Sequence, residues 1–284
     1  MKGELCQDEV KHHFSSSTPS SSAPRPCGWP RASQKNVLRR PNINRTPLLS
    51  IIIPAHNEEH RLPGSLDRIT AFLATQPYEY EVIIVENGSA DDTVGVARRY
   101  AQRFPYIRLY QETARGKGLA VRRGMFEAQG KYRFICDADL SMPIEEISKF
   151  LPSALDGYDV AIASREVPGA VRYNEPWYRH VIGRIFNLLI KLIAVRGFED
   201  TQCGFKCFRD EVAEDLFSVQ TLNGIGFDVE LLFIAQKRGY KIVEVPIHWY
   251  YNAESRMRLV RDSLRALVEL FIIRRNDRAG LYDR

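Results

Sequence analysis

Short apolar runs alternate with helix-like segments in the central part of the chain. The runs are rich in β-branched residues and lie at 49–54, 81–85, 107–110 and 132–136. Runs of this length and composition are typical of buried parallel strands. Segments with helical spacing separate them, at 62–75, from Asp92 or Thr93 onward, and at 118–129. The alternation predicts an α/β fold with a mostly parallel sheet that is flanked by helices on both faces.

The two ends of the chain differ from this pattern. Residues 1–46 are rich in Ser, Pro and Arg, which predicts a disordered tail. That tail carries eight Lys and Arg against three Asp and Glu, which accounts for the net charge of +5. A nucleic-acid binder usually carries such a surplus on its folded domain, so nucleic acid is not expected as a partner. We therefore divide the chain into a tail at 1–46, an α/β domain at 47–254 and a C-terminal segment at 255–284.

The C-terminal segment has the pattern of a basic amphipathic helix. Arginines occupy one face of the predicted helix, and an apolar stripe at helical spacing occupies another. The stripe consists of Met257, Val260, Leu264, Leu267, Val268 and Phe271. Such helices commonly lie on anionic lipid surfaces, although a helix docked on the domain is the alternative. No run reaches the roughly 18 apolar residues of a membrane span, so we expect a peripheral attachment.

Polar residues follow the first, second and fourth predicted strands. Pro54 and Glu58 follow the first strand, Glu86 and Asn87 the second, and Asp137–Ala138–Asp139 the fourth. Ligands of open α/β sheets bind at the carboxyl ends of the strands. Two carboxylates in this position suit Mg²⁺ or Mn²⁺, whose coordination is commonly completed by substrate phosphates. A solvated acidic loop is the alternative for the pair taken alone.

Lys117 lies in a second candidate motif, Arg115–Gly116–Lys117–Gly118. Its glycines and cations suit an anion such as a phosphate, and a basic turn that caps a helix is the alternative. The motif is not a Walker A sequence, which argues against a P-loop ATPase. No G-x-G-x-x-G follows the first strand, which argues against a nicotinamide-dependent oxidoreductase.

Taken together, these motifs resemble the family 2 glycosyltransferases, which have the GT-A fold. The resemblance runs from about Leu49 to Ser255 and includes the strings IPAHNE, ENGSADDT, RGKGLAVR and DADL. The more specific string DTQCGFK begins at Asp200 and is similar to the branch that makes polyprenyl-phosphate sugars, such as the dolichyl-phosphate β-glucosyltransferases. The resemblance implies a GT-A domain over 47–254 that moves a hexose from a nucleotide-sugar, UDP-glucose by this likeness, to a polyprenyl or dolichyl phosphate.

The resemblance also implies roles for individual residues. The donor would be held by Pro54, Glu58, Glu86, Asn87, Lys117 and Asp137. The metal ion, Mg²⁺ or Mn²⁺, would be held by Asp137 and Asp139. The acceptor phosphate would be held by Arg165, Arg179 and Lys206, and the catalytic set would be Asp139, Arg165 and Asp228.

The expected reaction is attack by the lipid phosphate on the anomeric carbon with inversion, at the cytoplasmic face of a membrane. An interfacial helix over 177–198 would then receive the lipid chain, and a buried core helix is the alternative for that segment. Two other functions stay open. A soluble or glycan hydroxyl acceptor would need a general base, for which Asp228 or Glu230 is the candidate. An inactive nucleotide-binding module that recruits partners to membranes is the other.

Overall fold

The elements observed in the central part of the chain follow the predicted order closely. The structure is a computed structural model, and it describes residues 45–252 and 259–283. Within those residues the strands are β1 Leu49–Ala55, β2 Tyr80–Glu86, β3 Ile107–Gln111, β4 Tyr132–Ile135, β5 Val160–Ser164, β6 Val171–Tyr173, β7 Lys206–Arg209, β8 Ile242–Pro246 and β9 His248–Tyr250. The α-helices are α1 Leu62–Leu73, α2 Thr93–Arg103, α3 Lys117–Glu127, α4 Trp177–Ile193, α5 Asp210–Ser218, α6 Phe227–Lys237 and α7 Leu259–Arg278, and a 3-10 helix spans Ile144–Phe150.

Seven of these strands form one mixed sheet in the order β3-β2-β1-β4-β7-β5-β8. Strand β1 lies in the middle and pairs in parallel with β2 and β4, with Ile51 opposite Val82 on one side and Phe134 on the other. Strand β7 alone runs antiparallel in this sheet, between β4 and β5. A two-stranded parallel sheet of β6 and β9 lies apart from it. The prediction of a mostly parallel α/β sheet is therefore confirmed.

The central strands are apolar because both faces of the sheet are covered. Ile51 and Ile53 point into a core with residues of α1 and α2, whereas Ile52 points into a second core with residues of α3, α5 and α6. All three isoleucines are completely buried. Alternation of successive side chains across a strand sends neighbouring residues into these two cores. The arrangement leaves the carboxyl ends of β1, β2 and β4 at one edge of the sheet, where the polar residues follow.

Helix α4 is only partly covered by the rest of the domain. Phe186 and Ile190 are buried, but seven large apolar side chains of the same helix are exposed. The exposed residues are Trp177, Tyr178, Val181, Ile182, Ile185, Leu188 and Leu192. The interpretation of 177–198 as a buried core helix is therefore wrong for most of this helix.

Helix α7 buries a different face from the one that the sequence emphasises. Ala266, Leu270 and Ile273 are buried, whereas Val268 and Phe271 are 59% and 64% exposed. The outer part of the predicted apolar stripe is thus left uncovered while a neighbouring face docks on the domain. Met257 lies outside the described residues, as do the side chains of Val260 and Leu264 and the predicted tail up to residue 44. Among the helices that the structure describes, none combines the length and apolarity that crossing a bilayer requires.

Candidate active site

Asp137 and Asp139 lie where β4 ends, beside the end of the central strand β1. Leu140 adopts a left-handed conformation with φ of 46°, which turns the chain sharply after the pair. The Ser141 amide donates a hydrogen bond to Asp139 Oδ1 at 3.0 Å, and this bond fixes the second carboxylate. The apolar strand and the turn together present two carboxylates at the sheet edge, as the sequence predicts.

Lys117 brings the basic motif into contact with the two aspartates. Its Nζ lies 2.7 Å from Asp137 Oδ1. Burial by itself lowers the pKa of Lys117, but the charges of Asp137, Asp228 and Asp139 outweigh burial and hold that pKa above its ordinary value. The ammonium group therefore stays charged near neutral pH, and the three carboxylates that act on it come from two parts of the chain, the loop after β4 and the start of α6.

The glycines on either side of Lys117 let the start of α3 approach the loop before α6. A Cβ atom on Gly116 would lie 2.3 Å from the carbonyl oxygen of Asn223, and one on Gly118 would lie 2.7 Å from that of Leu222. The Gly118 amide donates to the Asn223 carbonyl at 3.0 Å. Since no Cβ fits in either gap, the two glycines make the close packing possible. This packing places Lys117 near α6, which carries Asp228.

Asp228 and Lys206 form a buried ion pair behind this cluster. Lys206 Nζ lies 2.5 Å from Asp228 Oδ1 and donates a second hydrogen bond, at 2.7 Å, to the carbonyl oxygen of Cys203. Lys206 is completely buried and Asp228 is 6% exposed. A buried charge is tolerated only when it is paired and hydrogen-bonded, as here.

Glu230 is the other carboxylate considered as a base, and its hydrogen bonds hold parts of the fold together. It is completely buried, and its carboxylate accepts hydrogen bonds from the amides of Thr221 and Leu222 and from the Tyr282 hydroxyl. Its oxygens thereby fasten the loop before α6 and the C-terminal segment. Of the two candidate bases, Asp228 is the one that acts electrostatically on Lys117 in the acidic cluster.

Arg165 forms a bidentate ion pair with Asp200. Its Nε and Nη2 donate to the two carboxylate oxygens of Asp200 at 2.6 and 3.0 Å, and its own amide donates to Oδ2 at 3.1 Å. Burial raises the pKa of Asp200, but the charge and hydrogen bonds of Arg165, with a contribution from the charge of Lys206, lower it to about 2. Asp200 is a site candidate that sequence reasoning missed, although it is the first residue of the specific string DTQCGFK.

Arg165 and Arg179 line one polar cavity of roughly 80 Å³. Arg172, Arg184 and Asp200 are among its other lining residues. The guanidinium of Arg179 lies 5.2 Å from the centre of the Tyr251 ring, and its Nε is buried without a hydrogen-bond partner in the described structure. Lys206 does not line this cavity, because its side chain is buried against Asp228. The two arginines predicted to hold an acceptor phosphate therefore line the same cavity, and the third predicted residue, Lys206, does not.

The predicted donor residues lie at the ends of β1 and β2. Pro54 pairs with Val85 in the last part of the parallel ladder. The Asn87 amide donates to the Ala55 carbonyl at 3.1 Å, which holds the two strand ends together. Glu86 is buried and accepts a short hydrogen bond from the Ser89 amide.

Glu58 belongs to the same end of the sheet. Its carboxylate accepts two hydrogen bonds from Arg61, at 2.6 and 2.7 Å, and its amide donates to the Thr93 hydroxyl at 2.7 Å. The hydrogen bonds of Glu86, Asn87 and Glu58 fold the two loops into one wall. Because β1 also neighbours β4, this wall adjoins the two aspartates.

Comparison with protein-family models identifies the domain. Residues 50–217 match the model for glycosyl transferase family 2. The chain belongs to this family. Its curated relatives include proteins named dolichyl-phosphate beta-glucosyltransferase from Trichomonas vaginalis, Drosophila melanogaster and Homo sapiens. They are 34%, 37% and 33% identical to this chain, over 82%, 74% and 76% of it and over 72%, 69% and 71% of their own lengths.

Solved structures confirm the fold. Glucosyl-3-phosphoglycerate synthase from Mycobacterium tuberculosis, in complex with Mn²⁺, UDP-glucose and phosphoglyceric acid, superposes with a TM-score of 0.59 at 18% identity. The match covers 80% of this chain and 79% of that one. The predicted GT-A fold is therefore confirmed.

The residues at the end of β4 suit a divalent cation only if that cation takes further ligands from outside the protein. In the part of the chain that the structure describes, no group of three or more His, Cys, Asp or Glu side chains is arranged to hold a metal ion. Asp137 and Asp139 supply hard oxygen donors, and Mg²⁺ or Mn²⁺ commonly takes its remaining ligands from phosphates and water. A Cβ on Gly204 would lie 2.0 Å from Asp137 Oδ2, so the glycine leaves room for this carboxylate.

Proposed function

We propose that this protein transfers glucose from UDP-glucose to a dolichyl or related polyprenyl phosphate, with inversion at the anomeric carbon. The observation that carries the proposal is a series of charged side chains, each of which contacts or acts electrostatically on the next. Lys117 contacts Asp137 and lies near Asp228, Asp228 pairs with Lys206, and the charge of Lys206 reaches the Arg165–Asp200 pair. A donor diphosphate at the aspartates and an acceptor phosphate at the arginines would thus bind at the two ends of one series of interacting charged side chains. The names of the relatives support glucose and dolichyl phosphate.

The donor end of the proposed site has groups that suit a nucleotide diphosphate. Pro54, Glu58, Glu86 and Asn87 would line the base and ribose, and Lys117 would contact the diphosphate. A Mg²⁺ or Mn²⁺ ion held by Asp137 and Asp139 would neutralise the charge that develops on the departing diphosphate.

The acceptor end needs positive charge more than it needs a base. A phosphate monoester has a second pKa of about 6, so it is already an anionic nucleophile near neutral pH. Arg165 and Arg179 would hold it by charge-assisted hydrogen bonds, and the fixed geometry of Arg165 lets it orient the attacking oxygen. Asp228 would keep Lys206 and Lys117 in place and would not abstract a proton, since its Oδ1 is bound to Lys206.

A membrane surface is the proposed partner, with the protein attached peripherally at the cytoplasmic face. Arg179, Arg184 and Asn187 of α4 line the polar cavity, whereas Ile185 and Leu188 of the same helix are 57% and 55% exposed. Apolar surface of this extent marks an interaction site. One side of α4 would therefore face the phosphate, and the other would lie in the lipid from which the acceptor comes.

The alternative of a hydroxyl acceptor is less consistent with this geometry. A hydroxyl must lose a proton during attack, which requires a free general base near the anomeric carbon. Asp228 is the candidate in the cluster, and its pairing with Lys206 would first have to be broken. An inactive nucleotide-binding module would not need the arginines that line the polar cavity.

The test is an incubation of the full chain with labelled UDP-glucose, polyprenyl phosphate and Mg²⁺ or Mn²⁺, followed by organic extraction. We expect labelled lipid with the metal ion and none after its chelation. Asp137→Asn should abolish transfer, and Asp156→Asn, on an exposed loop, serves as the matched control. Label that moves only to water-soluble hydroxyl acceptors would support the alternative acceptor, and no transfer from any sugar nucleotide would support the inactive module.

A further inference from the structure

Glu244 on β8 binds the backbone that carries Asp200. Its Oε2 accepts a hydrogen bond from the Glu199 amide at 2.9 Å, and its Oε1 accepts one from the Asp200 amide at 3.0 Å. One carboxylate thereby fixes two successive amides in the long connection between α4 and β7. Hydrogen bonds to a charged acceptor are stronger than neutral ones, so this contact holds the connection firmly.

The same carboxylate lies on a rigid part of the sheet. Glu244 is opposite Ile162 in the parallel ladder between β5 and β8, and β5 ends at Ser164, directly before Arg165. Glu244 and Arg165 are therefore held in register by adjacent strands. Asp200 bridges them, because its amide binds Glu244 and its carboxylate binds Arg165.

Arg165 is also held on its planar face. Its guanidinium carbon lies 5.4 Å from the centre of the Trp249 ring. With Asp200 at its edge and Trp249 at its face, the guanidinium has a defined plane. Nη1 is the nitrogen that Asp200 does not bind, so the direction in which it points depends on where Asp200 is held.

We infer that Glu244 is a positioning residue for the acceptor phosphate, and that it acts by fixing Asp200 and through it the guanidinium of Arg165. The inference rests on the proposed function. The proposed role requires a carboxylate at position 244, because two oxygens are needed to accept hydrogen bonds from two backbone amides. Glutamine offers one acceptor oxygen, so its amide group would face one of the two backbone amides. Aspartate is one methylene shorter and would not reach both.

The experiment compares Glu244→Gln, Asp200→Asn and the double variant, with Glu211→Gln on the exposed start of α5 as the matched control. Rates are measured against polyprenyl phosphate and against UDP-glucose. Loss of charge-assisted hydrogen bonds should raise the acceptor KM by about tenfold in Glu244→Gln. The KM for UDP-glucose should stay within about twofold of the unmodified protein, because its contacts are untouched. Because Glu244 acts through Asp200, the double variant should be no worse than Asp200→Asn by more than about twofold.

Two readouts keep this test separate from that of the proposed function. Thermal unfolding reports whether each variant folds, and the conservative Glu244→Asp substitution replaces Glu244→Gln if the latter does not. The Arg165 Nε–H resonance, assigned with Arg165→Lys, reports the Asp200 pair without any acceptor, and its exchange with water should quicken in Glu244→Gln. An unmodified protein without transfer would overturn the proposed function. An active protein whose Glu244 variants keep the acceptor KM and the Arg165 exchange rate, or whose double variant shows additive losses, would overturn the role of Glu244.

Discussion

The buried pair of Lys206 and Asp228 offers the sharpest test of how the site is held together. In Lys206→Met the lysine stem is replaced by an apolar chain of similar size, and the Asp228 carboxylate loses its 2.5 Å partner. Removing one partner of a buried ion pair typically lowers the free energy of unfolding by about 3–5 kcal/mol, because the remaining charge is uncompensated. Lys117 also acts on Asp228 electrostatically, so we expect the lower half of that range.

This cost converts into a measurable melting temperature. For a domain of this size each kcal/mol shifts Tm by roughly 2–4 °C, so Lys206→Met should melt about 6–16 °C lower. Adding Asp228→Asn removes the stranded charge and should recover at least half of the loss, although transfer activity should stay low. The matched control is Lys237→Met, which breaks two ion pairs near the surface, with Asp277 and Asp283, and should shift Tm by less than about 3 °C.

Thermal unfolding followed by circular dichroism measures five proteins: the unmodified protein, Lys206→Met, Asp228→Asn, their double variant and the Lys237→Met control. The reasoning is refuted by a Tm for Lys206→Met within about 2 °C of the unmodified protein. It is also refuted if the double variant melts as low as the sum of the two single losses, because the penalty would then not come from an unpaired charge.

Three further predictions concern charge and exposure. Asp139→Asn should lower transfer by about 10³-fold at unchanged Tm, with calorimetry showing weaker joint binding of Mn²⁺ and UDP. Asp200 has its pKa lowered from 3.8 to about 2, so its stabilisation is present above pH 4 and is lost as the pH falls through 2. Asp200→Asn should therefore lower the free energy of unfolding in urea by roughly 2 kcal/mol at pH 7. The same variant should also lose most of the pH dependence of that free energy between pH 4 and 2. Leu188→Glu, at a position 55% exposed, should leave Tm within about 2 °C and reduce sedimentation with anionic liposomes.

Each of these has a contrary result. Full turnover of Asp139→Asn would remove the metal site from the mechanism. An unchanged acid profile of Asp200→Asn would mean that the Arg165 pair does not stabilise the fold, and undiminished liposome binding of Leu188→Glu would mean that α4 does not face the membrane.

The first four strands were predictable because their physical signal is local. Residues 49–54 and 81–85 are continuous apolar runs, and they form strands because both faces of the sheet are covered. Their polar successors, from Glu58 to Asp139, then fall at one sheet edge by the geometry of parallel strands. The sequence alone therefore predicts that the proposed donor residues lie together at one edge of the sheet.

The acceptor end depends on contacts between distant residues, which local patterns do not contain. Strand β7 inserts antiparallel between β4 and β5, and this places Lys206 beside Asp228 and Asp200 near Arg165. Neither pairing has a periodicity or spacing that signals it. Glu230 illustrates the same limit, since only the fold shows that its oxygens are occupied by backbone amides and by Tyr282.

Helix α7 was predicted, but its docked face was not. Its apolar positions occupy more than one face, so periodicity alone does not tell which of them meets the domain. Packing of α7 against α4 and α6 buries Ala266, Leu270 and Ile273 and leaves Phe271 outside.

The most direct measurement of the central claim is the NMR spectrum of the lipid product made from UDP-glucose labelled with ¹³C at the anomeric carbon. Attack by a lipid phosphate held at Arg165 and Arg179 predicts an anomeric carbon coupled to phosphorus in the β configuration. An α-linked product, or label found only in free glucose or in an uncoupled glycoside, would contradict the account.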